Sequence, residues 1–211
     1  MKKLRLIHQQ IFVFIWRFAK NELSLQLKTN TNITQMSAKI ILVTGGQRSG
    51  KSSFAENLAL QLSPNPVYVA TAHVWDEEFA RRVSIHKARR GSMWTNIEEE
   101  KYISRHDLTG RVAVVDCITL WCTNFFTTAD GSIPDTQATL DVMKEEFERL
   151  AQQEATLIFV TNEIGSGGVS ANQLQRQFTD LQGWFNQYVA ARANTVVLMV
   201  SGIPMTIKGK L

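Results

Sequence analysis

At 211 residues, 44% hydrophobic and 20% charged, the chain has the length and balance of one globular domain with a sizeable buried core. Its net charge of +4 is unevenly spread. Residues 1–35 hold Lys2, Lys3, Arg5, Arg17, Lys20 and Lys28 against Glu22 alone, so the rest is close to neutral and a basic nucleic-acid-binding face is excluded for it. Only two cysteines occur, Cys117 and Cys122. Their spacing matches no metal site and their surroundings are apolar, which reads as buried inert thiols in a reducing, cytoplasmic setting.

In chain order, the first feature is the apolar run Ile11–Trp16, far too short to span a bilayer. Arg17 and Lys20 follow it without a small-residue cleavage site, which argues against a signal peptide. Two readings of residues 1–35 stand. One is an amphipathic surface helix touching a membrane or a partner. The other, which we adopt as the expectation, is a misassigned start and a poorly ordered extension, with the domain running over residues 36–211.

Five short runs then recur: Ile40–Val43, Val67–Ala70, Val112–Val115, Leu157–Val160 and Val196–Val200. None alternates with polar residues, the pattern of strands buried on both faces. Between them the spacing predicts helices over Ser53–Leu62, Asp76–Arg90, Asp135–Gln153 and Asn172–Arg192. Asp76 suits an N-cap, and Leu140, Met143, Phe147 and Leu150 fall at helical spacing. Alternating strands and helices predict an α/β domain of P-loop NTPase type (RecA-like), a mostly parallel sheet with flanking helices.

Ligands of such sheets bind at the carboxyl ends of the strands. Polar groups follow each run directly: Thr44-Gly45-Gly46, Thr71, Asp116, Thr161-Asn162-Glu163 and Ser201-Gly202. A single site along one sheet edge accounts for all of them. The competing idea, that polar residues simply end strands, accounts for part.

The most specific motif is Gly45, Gly46, Gln47, Arg48, Ser49, Gly50, Lys51 and Ser52, a full match to G-x-x-x-x-G-K-[ST] between a strand and a helix. Glycines let successive N–H groups turn toward phosphate oxygens, and the following helix aims its positive end at the same place. Lys51 is expected at the outer phosphates and the Ser52 hydroxyl at Mg²⁺, with Arg48 and Ser49 as further donors. Asp116, ending its strand, is the second expected Mg²⁺ contact. In the stretch Asp76–Arg90, Arg82, His86 and Arg89 or Arg90 share one helical face. Neighbouring cations hold an imidazole neutral, and a neutral imidazole is a competent nucleophile toward phosphorus. By chemistry alone a solvated basic face with an incidental histidine remains the competing reading.

From about Lys39 to Lys208 the chain resembles the bifunctional adenosylcobinamide kinase / adenosylcobinamide-phosphate guanylyltransferase family of cobalamin biosynthesis. The resemblance rests on the loop at 45–52, Tyr68–Ala72, Asp76–Val83, His86–Arg90, Trp94 with Glu98, Asp116–Trp121, Thr161–Gly167, Asn186-Gln187 and Val200–Pro204. It implies phosphorylation of adenosylcobinamide by ATP or GTP. It also implies GMP transfer from GTP to the product through a guanylyl-histidine, matched here by His86. By the same matching Ala70, Thr71, Ala72, Lys87, Ala88, Arg89, Arg90, Glu98 and Asp116 would line the guanine nucleotide site, with His86 and Lys51 catalytic. A homo-oligomer, a trimer in the best-known form, is implied too. Glu163 could orient the substrate hydroxyl, take its proton, or serve structure alone. The chain departs from the family pattern at Gly91 and Ala171, where Pro is common, and at Ile85, where some members have a second histidine. A guanylyltransferase without kinase activity and a GTP-reading switch module remain the alternatives.

Overall fold

The computed structural model describes residues 38–73, 77, 81, 91–127 and 135–211. Seven strands form one sheet: β1 (Lys39–Gly45), β2 (Val67–Ala70), β3 (Thr95–Glu98), β4 (Val112–Asp116), β5 (Thr156–Val160), β6 (Thr195–Val200) and β7 (Ile203–Lys208). Their order is β3-β2-β4-β5-β1-β6-β7. Every pairing is parallel except β6 with β7. All five expected runs are strands, so the α/β, P-loop NTPase-type expectation holds.

The described helices are α1 (Lys51–Leu62), α2 (Ile118–Phe126), α3 (Thr136–Ala151) and α4 (Gln173–Arg192). Helix α3 begins where the Asp135 carboxylate accepts from Ala138 N, and α4 where Asn172 Oδ1 accepts from Gln175 N. Each cap satisfies a backbone donor that the first turn leaves without a partner. The helix expected over Asp76–Arg90 lies outside the described residues, apart from Glu77 and Arg81, which are helical.

Alternate residues of the central strands point to opposite faces. Ile40 and Leu42 join a core with α2, α3 and α4 that includes Trp121, Phe147, Phe159 and Phe185. Ile41 and Val43 join a smaller core with Ala55 and Ala59 of α1. The large core is aromatic at its centre: Trp121 lies parallel to Phe159, with centroids 6.4 Å apart, and meets Phe185 edge-on at 5.6 Å. Its indole Nε1 donates to Lys101 O at 2.8 Å, so a fully buried ring leaves no polar group unpaired.

Three elements were not foreseen. Helix α2 is only nine residues long and buries the polar Asn124 beside Trp121, Cys122 and Phe126, so it offers no long apolar stripe to read. Strand β3 sits at the sheet edge and is largely exposed, so it needs no apolar run. Strand β7 is exposed throughout, carries Pro204, and is the opposite edge. It returns from β6 through Ser201 and Gly202, both at positive φ (51° and 85°), as a tight two-residue hairpin requires.

Candidate active site

The carboxyl ends of β1, β2, β4 and β5 and the β6–β7 turn meet along one edge of the sheet. Strand β1 runs into the phosphate loop, whose backbone turns at Gly45 (φ 147°), Arg48 (φ 61°) and Gly50 (φ 94°). Gly50 caps α1 without any side-chain hydrogen bond, and the first turn of α1 holds no acid. The positive end of α1 is thereby left to a ligand anion. The β6–β7 turn braces the loop from the side: Gly202 N donates to Ser49 O at 3.0 Å.

Gly45 is needed for space as well as conformation. A Cβ there would lie 2.5 Å from the backbone oxygen of Met199 on β6, whereas a Cβ at Gly46 would meet nothing within 4 Å. Gly45→Ala is therefore expected to lose about 1–3 kcal/mol of stability by overpacking and to weaken nucleotide binding. Gly46→Ala is expected to stay close to the parent. Thermal melts with and without nucleotide distinguish the two.

Lys51 is almost fully buried, and its Nζ donates to Gly46 O at 2.5 Å and to Ser49 Oγ at 3.4 Å. Burial lowers its pKa from the usual 10.5, partly offset by the negative charge of Asp116. Asp116 is anchored from β2: the Tyr68 hydroxyl donates to Oδ2 at 2.7 Å, and Trp94 packs edge-on against Tyr68. That leaves Oδ1 of Asp116 for a metal or its water. Asp116 and Glu98 each stand in register with Ala70, so three residues expected at the nucleotide form one row across β4, β2 and β3.

Thr71 stands behind this row. It is fully buried, and all its polar atoms have protein partners. Its N donates to Asp116 O, its Oγ1 both donates to Cys117 O and accepts from Cys117 N, and its O accepts from Asn124. Thr71 thus fixes the end of β2 against the end of β4, its N–H and hydroxyl both engaged within the protein. Ala72 follows it, half-buried. The expected His86, Lys87, Ala88, Arg89 and Arg90 lie outside the described residues.

The cysteines behave as the sequence suggests. Both are buried and free. Burial first, and the charge of Asp116 second, push the Cys117 thiol up to about 12. Burial raises Cys122 as well. Neither is a nucleophile at neutral pH.

Sequence reading missed two of the buried amides that hold this edge, Asn124 and Gln182. Asn124 Nδ2 donates to Thr71 O (2.7 Å) and Glu100 O (2.8 Å), tying α2 to the loops after β2 and β3. Gln182 Nε2 reaches Thr119 Oγ1, Thr161 Oγ1 and Asn162 O, and Asn186 pairs with Thr161 Oγ1. The available signal was a polar residue on the buried stripe of α4, between Leu181 and Phe185. These bonds fix the chain at Thr161–Glu163. Glu163 N donates to Gly45 O, and Thr44 Oγ1 donates to Glu163 Oε1 at 2.5 Å, joining the end of β5 to the root of the phosphate loop.

Comparison with known proteins places this geometry in context. Residues 41–207 match the family model described as cobinamide kinase / cobinamide phosphate guanyltransferase. The chain is 38% identical over 174 residues to the bifunctional adenosylcobalamin biosynthesis protein CobP of Pseudomonas aeruginosa, covering 80% of this chain and 97% of that one. It is 36% identical over 181 residues to the bifunctional adenosylcobalamin biosynthesis protein CobU of Escherichia coli, covering 80% and 99%. Among solved structures, the flagellar accessory protein FlaH of Methanocaldococcus jannaschii is similar (TM-score 0.44, 14% identity, 83% and 80% covered).

Proposed function

The chain belongs to the cobinamide kinase / cobinamide phosphate guanyltransferase family, and on that premise we propose that it carries both activities. It phosphorylates the aminopropanol hydroxyl of adenosylcobinamide with ATP or GTP. It then transfers GMP from GTP to that phosphate, releasing pyrophosphate and adenosylcobinamide-GDP. The observation that carries this reading is the phosphate loop itself, with buried Lys51 inside its curl, and Asp116, Ala70 and Glu98 in one row at the same edge of the sheet.

The roles divide by chemistry. Backbone N–H groups of Gly46–Ser52 and the α1 terminus hold phosphates, and Lys51 meets the charge that grows on the transferring group. Lys51 can exchange the carbonyl of Gly46 for a phosphate oxygen, a stronger, charge-assisted partner. Ala70, Ala72 and Glu98 border the base and sugar, and Lys87, Arg89 and Arg90 supply further phosphate contacts. Ser52 and Asp116 suit Mg²⁺, which is held by one or two protein oxygens together with substrate phosphates and water. Bound there, the ion would neutralise charge between adjacent phosphates. Among the described residues no group of three or more His, Cys, Asp or Glu is gathered into a cage. His86 is the nucleophile of the guanylyl step.

Incubation of the protein with Mg²⁺ and α-labelled GTP tests the reading. The expected result is label retained on the protein, released by acid and stable to base, as a phosphoramidate behaves. Tight GTP binding with no retained label would overturn the guanylyl-histidine route.

A further inference from the structure

We propose that Glu163 is the general base of the kinase half-reaction, accepting the proton of the acceptor hydroxyl. This inference rests on the transferase reading above and assigns a residue to the hydroxyl-activating step. Three observations carry it.

The first is position. Strand β5 lies directly beside β1, and two backbone bonds, Thr161 N to Val43 O and Glu163 N to Gly45 O, bring Glu163 level with the first glycine of the phosphate loop. The second is the state of the carboxylate. Thr44, itself buried, donates to Oε1 and fixes the group, while Oε2 has no hydrogen-bond partner among the described residues. An ionised carboxylate has acceptor capacity on both oxygens, so Oε2 is the one left to receive a proton. The third is access. Glu163 is exposed, whereas Asp116 is partly buried, bonded to Tyr68 and beside Lys51. An acceptor as bulky as a corrinoid must present its hydroxyl from the solvent side, where Glu163 stands.

The step balances. The hydroxyl proton passes to Glu163 Oε2, the hydroxyl oxygen forms a bond to the γ-phosphorus, and the bond from that phosphorus to the bridging oxygen breaks, releasing the nucleoside diphosphate. Glu163 then returns its proton to solvent. The second half-reaction has no hydroxyl to deprotonate: its acceptor is already a phosphate oxygen. The base is therefore required in the first half alone.

Glu163→Gln keeps an acceptor for the Thr44 hydroxyl, so folding and loop geometry are retained. With cobinamide and ATP, its kcat for phosphate transfer is expected to fall about 10²–10⁴-fold, with the nucleotide KM within a few-fold of the parent. Covalent labelling by α-labelled GTP should proceed. Glu163→Ala should behave alike and regain phosphorylation in added formate, which a purely structural role would not permit. Phosphorylation by Glu163→Gln at the parent rate overturns the inference and leaves the transferase reading intact. Loss of labelling and phosphorylation together, without formate rescue, also overturns it, in favour of a role in holding the loop. A parent protein that does not phosphorylate cobinamide at all overturns the kinase reading and this inference with it.

Discussion

Lys51→Met is expected to disable both half-reactions, lowering kcat/KM for cobinamide phosphorylation and for GMP transfer by at least about 10²–10³-fold each, the cost of removing one fixed electrostatic donor. Met keeps the length and apolar stem of Lys51, so the loss is electrostatic rather than steric. The same change is expected to leave the fold at least as stable. An ammonium almost wholly out of water carries a desolvation cost, and its lowered pKa is the measure of it. The sign follows from linkage. A lysine whose folded pKa lies below 10.5 binds fewer protons folded than unfolded within that interval, so its unfavourable contribution is full below the folded pKa and fades as pH rises toward 10.5. Melts of the two proteins should therefore differ most near neutrality, with Lys51→Met equal or higher, and converge at alkaline pH. A variant that is inactive and also melts far below the parent would mean that Lys51 holds the loop together through Gly46 and Ser49, not that it serves the phosphates.

The parts of the fold and site legible in the sequence share a physical cause. Central strands buried on both faces need unbroken apolar runs, so β1, β2, β4, β5 and β6 announced themselves. The phosphate loop was legible because its backbone course demands glycine at fixed places. At Gly45 the demand is steric, set by Met199 of a strand about 150 residues further on, and only the folded chain displays it. The edge strands β3 and β7 escaped because an edge needs little burial. Helix α2 escaped because it is only nine residues long and buries the polar Asn124 among its apolar residues, so its apolar stripe is short and broken. Within the site, sequence marked the residues at strand ends but could not say which way they face. Thr71 follows β2 and Asp116 ends the adjacent β4, yet Thr71 bonds inward to Cys117 and Asn124 while the Asp116 carboxylate accepts from Tyr68. The amides of Asn124 and Gln182 were the least legible. Their value lies in pairing with backbone carbonyls that come from other elements, and nothing local encodes those partners.

Replacing His86 by Ala separates the two chemistries that one phosphate loop must serve. In the proposed guanylyl step an imidazole nitrogen forms a bond to the α-phosphorus as the bond to the bridging oxygen breaks and pyrophosphate leaves. A phosphate oxygen of the acceptor then displaces the histidine. Dividing the transfer this way exchanges one displacement between two anions for two displacements that each involve a neutral nitrogen. His86→Ala should therefore retain no covalent label and lose GMP transfer by at least about 10⁴-fold, on the scale set by removal of an enzymic nucleophile. Its phosphorylation of cobinamide should stay within a few-fold of the parent, because that displacement occurs at the γ-phosphorus and needs Lys51 but no imidazole. The stereochemical outcome gives a second, independent reading. Two in-line displacements invert the phosphorus twice, so GTP made chiral by sulfur at the α-position should give product of retained configuration. Inversion would mean that the acceptor phosphate attacks GTP directly and that the basic residues around His86 only bind it.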